Sequence, residues 1–374
     1  MSRKALSIYI HVPFCRSRCG YCDFLTLAGA DGRTDDYVTA LQKDIFQSRD
    51  EFADHQIETV FLGGGTPSLL SLLQLADILC ALRNNFNLAQ NCHMSIEANP
   101  DTVSEEYLQS LWMMGFRRIS FGVQSFDDGL LELMGRLHDA EKACNAVRLA
   151  HKAGFDDISL DLIFALPHQT LENFDKSLET ALNLPITHIS CYALSVEDGT
   201  PLAANKALVD AIPDDMQDRD MYALAGKKLA QAGFKHYEIS NWAKVGFECR
   251  HNLSYWIGQE YLGLGLGASS YFGGKRRKKT DCLDDYISGN LAFAHEEEID
   301  KSTQMAEFAL LGLRLTEGIS LNGFKNRFGQ DIFDVYGEAL NKFMAQGLLA
   351  QKGDKIALTT KGLDLSNTVF CDFL

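Results

Sequence analysis

The chain has 374 residues, 46% of them hydrophobic, which is enough for one large core and a smaller satellite and excludes a disordered or low-complexity chain. Its 35 basic and 50 acidic side chains leave a net charge of −15, so no nucleic-acid partner is expected. No apolar run reaches the roughly 20 residues needed to cross a bilayer, and the N-terminus lacks a signal-peptide core, so a cytoplasmic location is expected.

One rhythm repeats from residue 1 to about 200. Short β-branched or aromatic runs predict strands at Leu6–Val12, Glu58–Leu62, His93–Ala98, Arg117–Gly122, Asp157–Ile163 and His188–Ala193. Helical patterns fill the gaps at Asp36–Arg49, Leu69–Asn84, Glu105–Met114, Ala140–Ala153 and Leu171–Leu182. Crossovers of that length allow parallel pairing, so the fold class is α/β, read as a partial (β/α)6 barrel with a doubly wound sheet as its rival. The phrases Met114-Gly115-Phe116, Ala153-Gly154-Phe155 and Ala232-Gly233-Phe234 each read as a helix end, a glycine cap and the entry to an extended segment.

From about Pro201 the pattern changes. Pro213-Asp214-Asp215 opens a helix reaching about Ala232, and residues 240–274 are rich in glycine and aromatics. The run Lys275–Lys279 reads as a solvated loop, with contact to an anionic ligand or membrane headgroup as the rival. Residues 295–301 read as a charged linker. The tail shows helical patterns at 304–313, 321–327 and 331–346, then a hairpin between 355–359 and 369–373. These shifts place boundaries at 1–200, 201–295 and 296–374. The last segment is a C-terminal α+β, winged-helix-like extension with no basic recognition helix.

Seven of the ten cysteines are scattered and read as small buried hydrophobes. Cys15, Cys19 and Cys22 instead form a C-x3-C-x2-C loop just after the first strand, where a barrel places its active-site loops. Three such thiolates can wrap one soft metal centre, and Gly20 permits the tight turn. Spacing alone leaves three readings open: an iron–sulfur centre, zinc with His11 as fourth ligand, or unrelated thiols.

The cysteine loop resembles that of the radical S-adenosylmethionine superfamily. The resemblance implies a [4Fe–4S] cluster on Cys15, Cys19 and Cys22, with one iron open to S-adenosylmethionine, whose reductive cleavage yields methionine and a 5′-deoxyadenosyl radical. The run Gly63-Gly64-Gly65-Thr66-Pro67 would alone read as a strand-to-helix turn, but it resembles the superfamily's cofactor-binding GGGTP element. The order of the remaining motifs, with Asp161-Leu-Ile-Phe-Ala-Leu-Pro167, is similar to oxygen-independent coproporphyrinogen III oxidase and its relatives. That similarity implies cofactor contacts at Tyr9, Tyr21, Gly64, Gly65, Thr66, Glu97, Gln124, Arg136 and Asp161, with Ser195 a weaker match. Glu97 and Asp161 would accept from amino or ribose hydroxyl groups, and Arg136 would pair with the carboxylate.

Two departures count against coproporphyrinogen decarboxylation. Phe24 stands where the oxidase has a further cysteine, and the chain starts almost at the first strand. The segment His251-Asn252-Leu253-Ser254-Tyr255-Trp256 reads on its own as core packing or substrate contact. As HNxxYW, followed by Gly263, Gly265 and Gly267, it resembles the signature of the haem chaperone family HemW. That resemblance implies haem binding, with His251 as lead contact, Tyr255 and Trp256 packing beside it and Cys249 as a competing ligand. It also implies delivery to haem-accepting respiratory proteins, a cluster-dependent homodimer, and association with membrane-bound acceptors at the inner face of the cell membrane. The alternative function is a radical oxidoreductase acting on a porphyrinogen-like substrate.

Overall fold

The computed structural model describes residues 3–373. The six expected strands, β1 (Lys4–Val12), β2 (His55–Gly64), β3 (Leu88–Ala98), β4 (Arg118–Gln124), β5 (Asp157–Phe164) and β6 (His188–Ala193), lie side by side in chain order and are all parallel. Each crossover carries a helix: α1 (Thr34–Ser48), α2 (Leu72–Asn85), α3 (Glu105–Met114), α4 (Ala140–Ala153) and α5 (Leu171–Leu182). Ser71 and Thr170 start α2 and α5 with capping boxes, so the first orphan amides are satisfied by the residues the sequence supplies. Gly115 and Gly154 close α3 and α4 at φ +108°, a left-handed conformation that favours glycine.

Strand alternation sorts the chemistry. Ile8, Ile10, Val60, Leu62, Ile119, Phe121, Ile158 and Leu160 are buried in the main apolar core. The intervening residues Ser7, Thr59, Ser95, Arg118, Ser120, Asp157, Ser159, His188 and Ser190 are buried and polar. A period of two places them together on the opposite, concave face. There they pair with one another: Arg118 meets Asp157 at 2.5 Å, and Ser159 meets His188 Nδ1 at 2.7 Å.

Beyond the barrel core come α6 (Asp215–Gln231), β7 (Lys235–Glu238), β8 (Asn241–Ala243), α7 (Arg250–Trp256), β9 (Tyr261–Gly265), β10 (Ser269–Phe272), β11 (Lys275–Lys279) and β12 (Phe293–Glu298). Strand β9 pairs parallel to β1, a seventh parallel strand drawn from the glycine-rich stretch. The full sheet order is β12-β11-β10-β9-β1-β2-β3-β4-β5-β6-β8-β7, open at both ends, which makes the barrel partial. Helix α7 lies across the concave face, held where His251 Nδ1 meets Thr59 Oγ1 at 2.8 Å.

Three expectations are corrected. The basic run is not a loop but strand β11, and carboxylates neutralise it: Lys275 and Arg277 meet Glu296, Arg276 meets Glu307, Lys278 meets Asp281 and Lys279 meets Asp44. The supposed linker at 295–301 is mostly edge strand β12, which pairs with β11 and sets Glu296 beside Lys275 and Arg277 and Glu297 3.8 Å from Arg276. The hairpin forms between Leu349–Lys352 and Lys355–Leu358, while residues 366–371 are helical.

The tail has its own core. It comprises α8 (Lys301–Leu313), β13 (Ile319–Ser320), α9 (Leu321–Phe328), α10 (Ile332–Ala345), β14 (Leu349–Lys352) and β15 (Lys355–Leu358), with the short sheet ordered β13-β15-β14. Leu313, Phe324, Ile332, Leu340, Phe343 and Ile356 pack inside it. Among the described residues, no helix is long and apolar enough to cross a membrane.

Candidate functional site

The loop after β1 and the C-terminal ends of β2–β5 enclose one cavity. Cys15, Cys19, Cys22, Tyr21, Gly64, Gly65, Thr66, Glu97, Gln124, Arg136 and Asp161 all line it. Eleven of the expected site residues, far apart in the chain, therefore meet in one place. A hydrogen-bonded chain braces the cysteines: Cys15 Sγ to Thr66 Oγ1 at 3.4 Å, Asn99 Nδ2 to Thr66 Oγ1 at 3.1 Å, Arg136 Nη2 to Asn99 Oδ1 at 2.7 Å, and Arg136 Nη1 to Cys19 Sγ at 3.4 Å. Asn99 is the link that motif reading overlooked. Its signal was its place, at the end of β3 beside Pro100 and two residues past Glu97.

The glycines are required by contact. A Cβ on Gly64, whose φ is +110°, would lie 2.5 Å from the His11 ring, and one on Gly65 would lie 2.7 Å from the Phe14 carbonyl. The Gly64 amide donates to Glu97 Oε2 at 3.1 Å. Gln124 is a non-glycine residue at φ +70°, next to a register shift between β4 and β5, so a bulge re-aims it at the cavity.

Two carboxylates share this space. Burial, with Asp161 as a second cause, pushes the Glu97 carboxyl up to about 8. Burial also raises Asp161, although Ser190 and Ser120 hydroxyls and Arg118 oppose the shift. Arg136 Nε is buried and has no hydrogen-bond partner among the described residues. Burial raises the Cys15 and Cys22 thiols as well. Two buried carboxylates, one guanidinium with a spare donor and three thiols fit a cationic thiophile beside an amino acid-like ligand.

A zinc site does not fit. His11 commits Nδ1 to the Tyr9 hydroxyl at 3.0 Å and Nε2 to the Leu25 carbonyl at 2.9 Å. Among the described residues, no three histidine, cysteine or acidic side chains converge tightly enough for a single ion.

Two expected cofactor contacts stand elsewhere. Ser195 is exposed and donates to Glu197 at 2.5 Å, beside a separate cavity reaching Arg219 and Arg314. Tyr9 lines a third and larger cavity of about 730 Å³, shared by the β9–β11 edge and helices α8 and α9. Tyr255 and Trp256 line that cavity too, with Tyr261, Tyr271, Phe308, Arg276 and Arg327.

His251 is not among its lining residues, contrary to its expected lead role. It is 1% exposed, with Nδ1 on Thr59 and Nε2 2.8 Å from the Tyr255 hydroxyl, and it stacks on Phe61 at 5.1 Å. Burial lowers its imidazole to about 3. Cys249 is also buried, its thiol raised by burial, beside Arg118 at the start of α7.

Fold and cysteine cavity together define a radical S-adenosylmethionine protein. Residues 9–181 match the radical SAM superfamily, and residues 299–365 match the HemN C-terminal domain. The chain is 36% identical to the heme chaperone HemW of Lactococcus lactis subsp. lactis, across 100% of this chain and 98% of that protein. It is 36% identical to the Bacillus subtilis heme chaperone HemW, covering 98% and 99%, and 33% identical to that of Escherichia coli, covering 99% and 98%. The chain belongs to the HemW family. Its fold also follows the Escherichia coli coproporphyrinogen III oxidase HemN, with a TM-score of 0.88 at 23% identity, over 100% of this chain and 90% of that one.

Proposed function

We propose that this protein is a haem chaperone, which binds haem and delivers it to haem-accepting respiratory proteins. The observation that carries the reading is the end-to-end family match, 36% identity over 100% of the chain. The large aromatic cavity supports it: at about 730 Å³ it falls within the range of about 300–1,000 Å³ that small-molecule sites occupy. In this reading Cys15, Cys19 and Cys22 hold a [4Fe–4S] cluster. Glu97, Asp161, Gln124 and Arg136 hold S-adenosylmethionine beside it, with Tyr21, Gly64, Gly65 and Thr66 forming the wall. A cluster held there would supply one-electron reducing chemistry toward the sulfonium. The protein's own part is positional: Arg136 orients a carboxylate, Glu97 and Asp161 receive an amine or hydroxyls, and the glycines permit close approach. The segments 1–200, 201–295 and 296–374 would serve as cofactor barrel, haem-contact region and acceptor-facing domain. The setting is the cytoplasm, at the inner membrane face when an acceptor is engaged.

The test is haem transfer. Ferric haem is titrated into anaerobically cluster-reconstituted protein, and the loaded protein is mixed with an apo-form b-type haem protein. Saturable binding, followed by movement of the haem absorption to the acceptor, is expected. Absence of specific binding, with decarboxylation of a porphyrinogen instead, would overturn the reading in favour of the oxidoreductase.

A further inference from the structure

We infer that the large cavity between the β9–β11 edge and the C-terminal domain is the haem site, and that the Tyr255 hydroxyl oxygen, held by His251, is the protein's ligand to the ferric iron. This rests on the haem-binding reading above and goes beyond it by naming the chamber and the ligating atom.

The cavity has the chemistry of a flat, apolar dianion's partner. Tyr9, Tyr255, Trp256, Tyr261, Tyr271 and Phe308 supply flat faces. Tyr255 and Tyr261 meet edge-on at 4.7 Å, and the Trp256 ring is fixed by the Arg314 guanidinium 4.5 Å above it. Two arginines line the same space. Arg276 is engaged by Glu307, but Arg327 is exposed, gives Nη1 to the Gly258 carbonyl at 2.9 Å, and has no carboxylate partner among the described residues. Its remaining donors suit the carboxylates of a porphyrin whose ring lies among the aromatics.

Histidine is the obvious iron ligand of the α7 segment, and the structure disfavours it. Both His251 ring nitrogens are occupied, and the ring is sandwiched against Phe61 behind the cavity wall. Ligation by His251 would require breaking a buried hydrogen bond and rotating the ring out of a packed stack. Tyr255 is already at the wall, and its oxygen lies 2.8 Å from His251 Nε2. Phenolate is a known haem ligand. When the iron–oxygen bond forms, the Tyr255 O–H bond breaks and its proton combines with the hydroxide displaced from the ferric iron, which leaves as water, while His251 holds the oxygen in place. The iron stays ferric. His251 is thus a positioning residue. Tyr9 and His11 form a second tyrosine–histidine pair on the wall, with the His11 ring against Gly64 of the cysteine cavity, and serve here as the internal control.

The experiment uses full-length, cluster-reconstituted protein and ferric haem, with absorption and resonance Raman spectra excited in the phenolate-to-iron charge-transfer band. Wild type should bind one haem per chain and show phenolate bands. Tyr255→Phe should lose those bands and bind about tenfold or more weakly, with cluster content unchanged. Tyr255→His should restore tight binding with a low-spin imidazole spectrum instead. Tyr9→Phe should keep the phenolate bands. His251→Gln should keep them but shift them, and Arg327→Gln should weaken binding with the bands intact. Phenolate bands that persist in Tyr255→Phe would overturn the assignment. So would a wild-type imidazole spectrum that His251→Gln abolishes. Either result leaves haem binding standing, whereas wild type that binds no haem sinks both readings.

Discussion

Glu97 is the residue whose environment is most at odds with its chemistry. Its carboxyl is raised to about 8 in the ligand-free protein, against an ordinary value of 4.5. The folded state therefore holds a proton that the unfolded chain releases, and folding stability falls as pH rises from about 4.5 to about 8. Replacing Glu97 with Gln should remove that pH-dependent loss. Thermal unfolding of ligand-free Glu97→Gln is expected to vary less between pH 5 and pH 9 than wild type, while S-adenosylmethionine binding weakens by about tenfold or more. An unchanged pH profile would mean that the carboxyl is better solvated than its setting implies. Asn99 joins the two halves of the cysteine brace, so Asn99→Ala should lower the iron retained after reconstitution and desalting while the fold persists. Retention equal to wild type would remove Asn99 from the site. At this scale the sequence was most informative where residue type is itself the chemistry, as at the three cysteines and the glycine run. It was least informative for Asn99 and His251, because their roles come from partners on other elements, Thr66 and Arg136 for one and Thr59 and Tyr255 for the other.

Elements show the same division. The six barrel strands and five helices were legible because β-branched runs, helical periods and caps agree locally with the final fold. Strand β9 was not. Its sequence Tyr261-Leu-Gly-Leu-Gly265 carries two glycines, which disfavour a strand in isolation. The tertiary setting overrides that: a Cβ on Gly263 would lie 2.1 Å from the Ser269 carbonyl oxygen, so the close approach of neighbouring backbone requires glycine. The tail hairpin was misplaced because Leu349–Lys352 continues the composition of the preceding helix, and its partner is revealed only by pairing. What ties the added strands to the barrel is a buried charge. Lys279 Nζ on β11 lies 2.7 Å from Asp44 Oδ1 on α1, and Asp44 also accepts from Tyr286 and the Gly265 amide. Removing one member strands the other, so Asp44→Asn should cost roughly 3–5 kcal/mol in chemical denaturation. Because the same contacts hold the cavity's β9–β11 wall, haem affinity should drop in the same variant. A loss below about 1 kcal/mol would show that water reaches the pair.

At the scale of the molecule, two cavities lie back to back. Tyr9 and His11 face the aromatic one, while Gly64 and Glu97 face the cysteine one, and the His11 ring packs directly against Gly64. A side chain at position 64 would push on both, so Gly64→Ala should weaken S-adenosylmethionine and haem binding together, each readable by its own titration. Loss of only one would show that the wall does not couple them. The C-terminal domain supplies residues of α8 and α9 to the aromatic cavity, so under the proposed haem site it would share in holding the ligand.

In the proposed reading, one chain holds an iron–sulfur site on its cysteine loop and a separate haem site where the β9–β11 edge meets α8 and α9. The most direct measurement is ferric haem titration of anaerobically reconstituted wild type and of the triple variant Cys15→Ala, Cys19→Ala, Cys22→Ala, with iron and sulfide quantified throughout. The expected result is a cluster in wild type that survives haem loading, no cluster in the variant, and one haem per chain in both. Haem that displaces the cluster, or a variant that loses haem along with it, would contradict two separate sites.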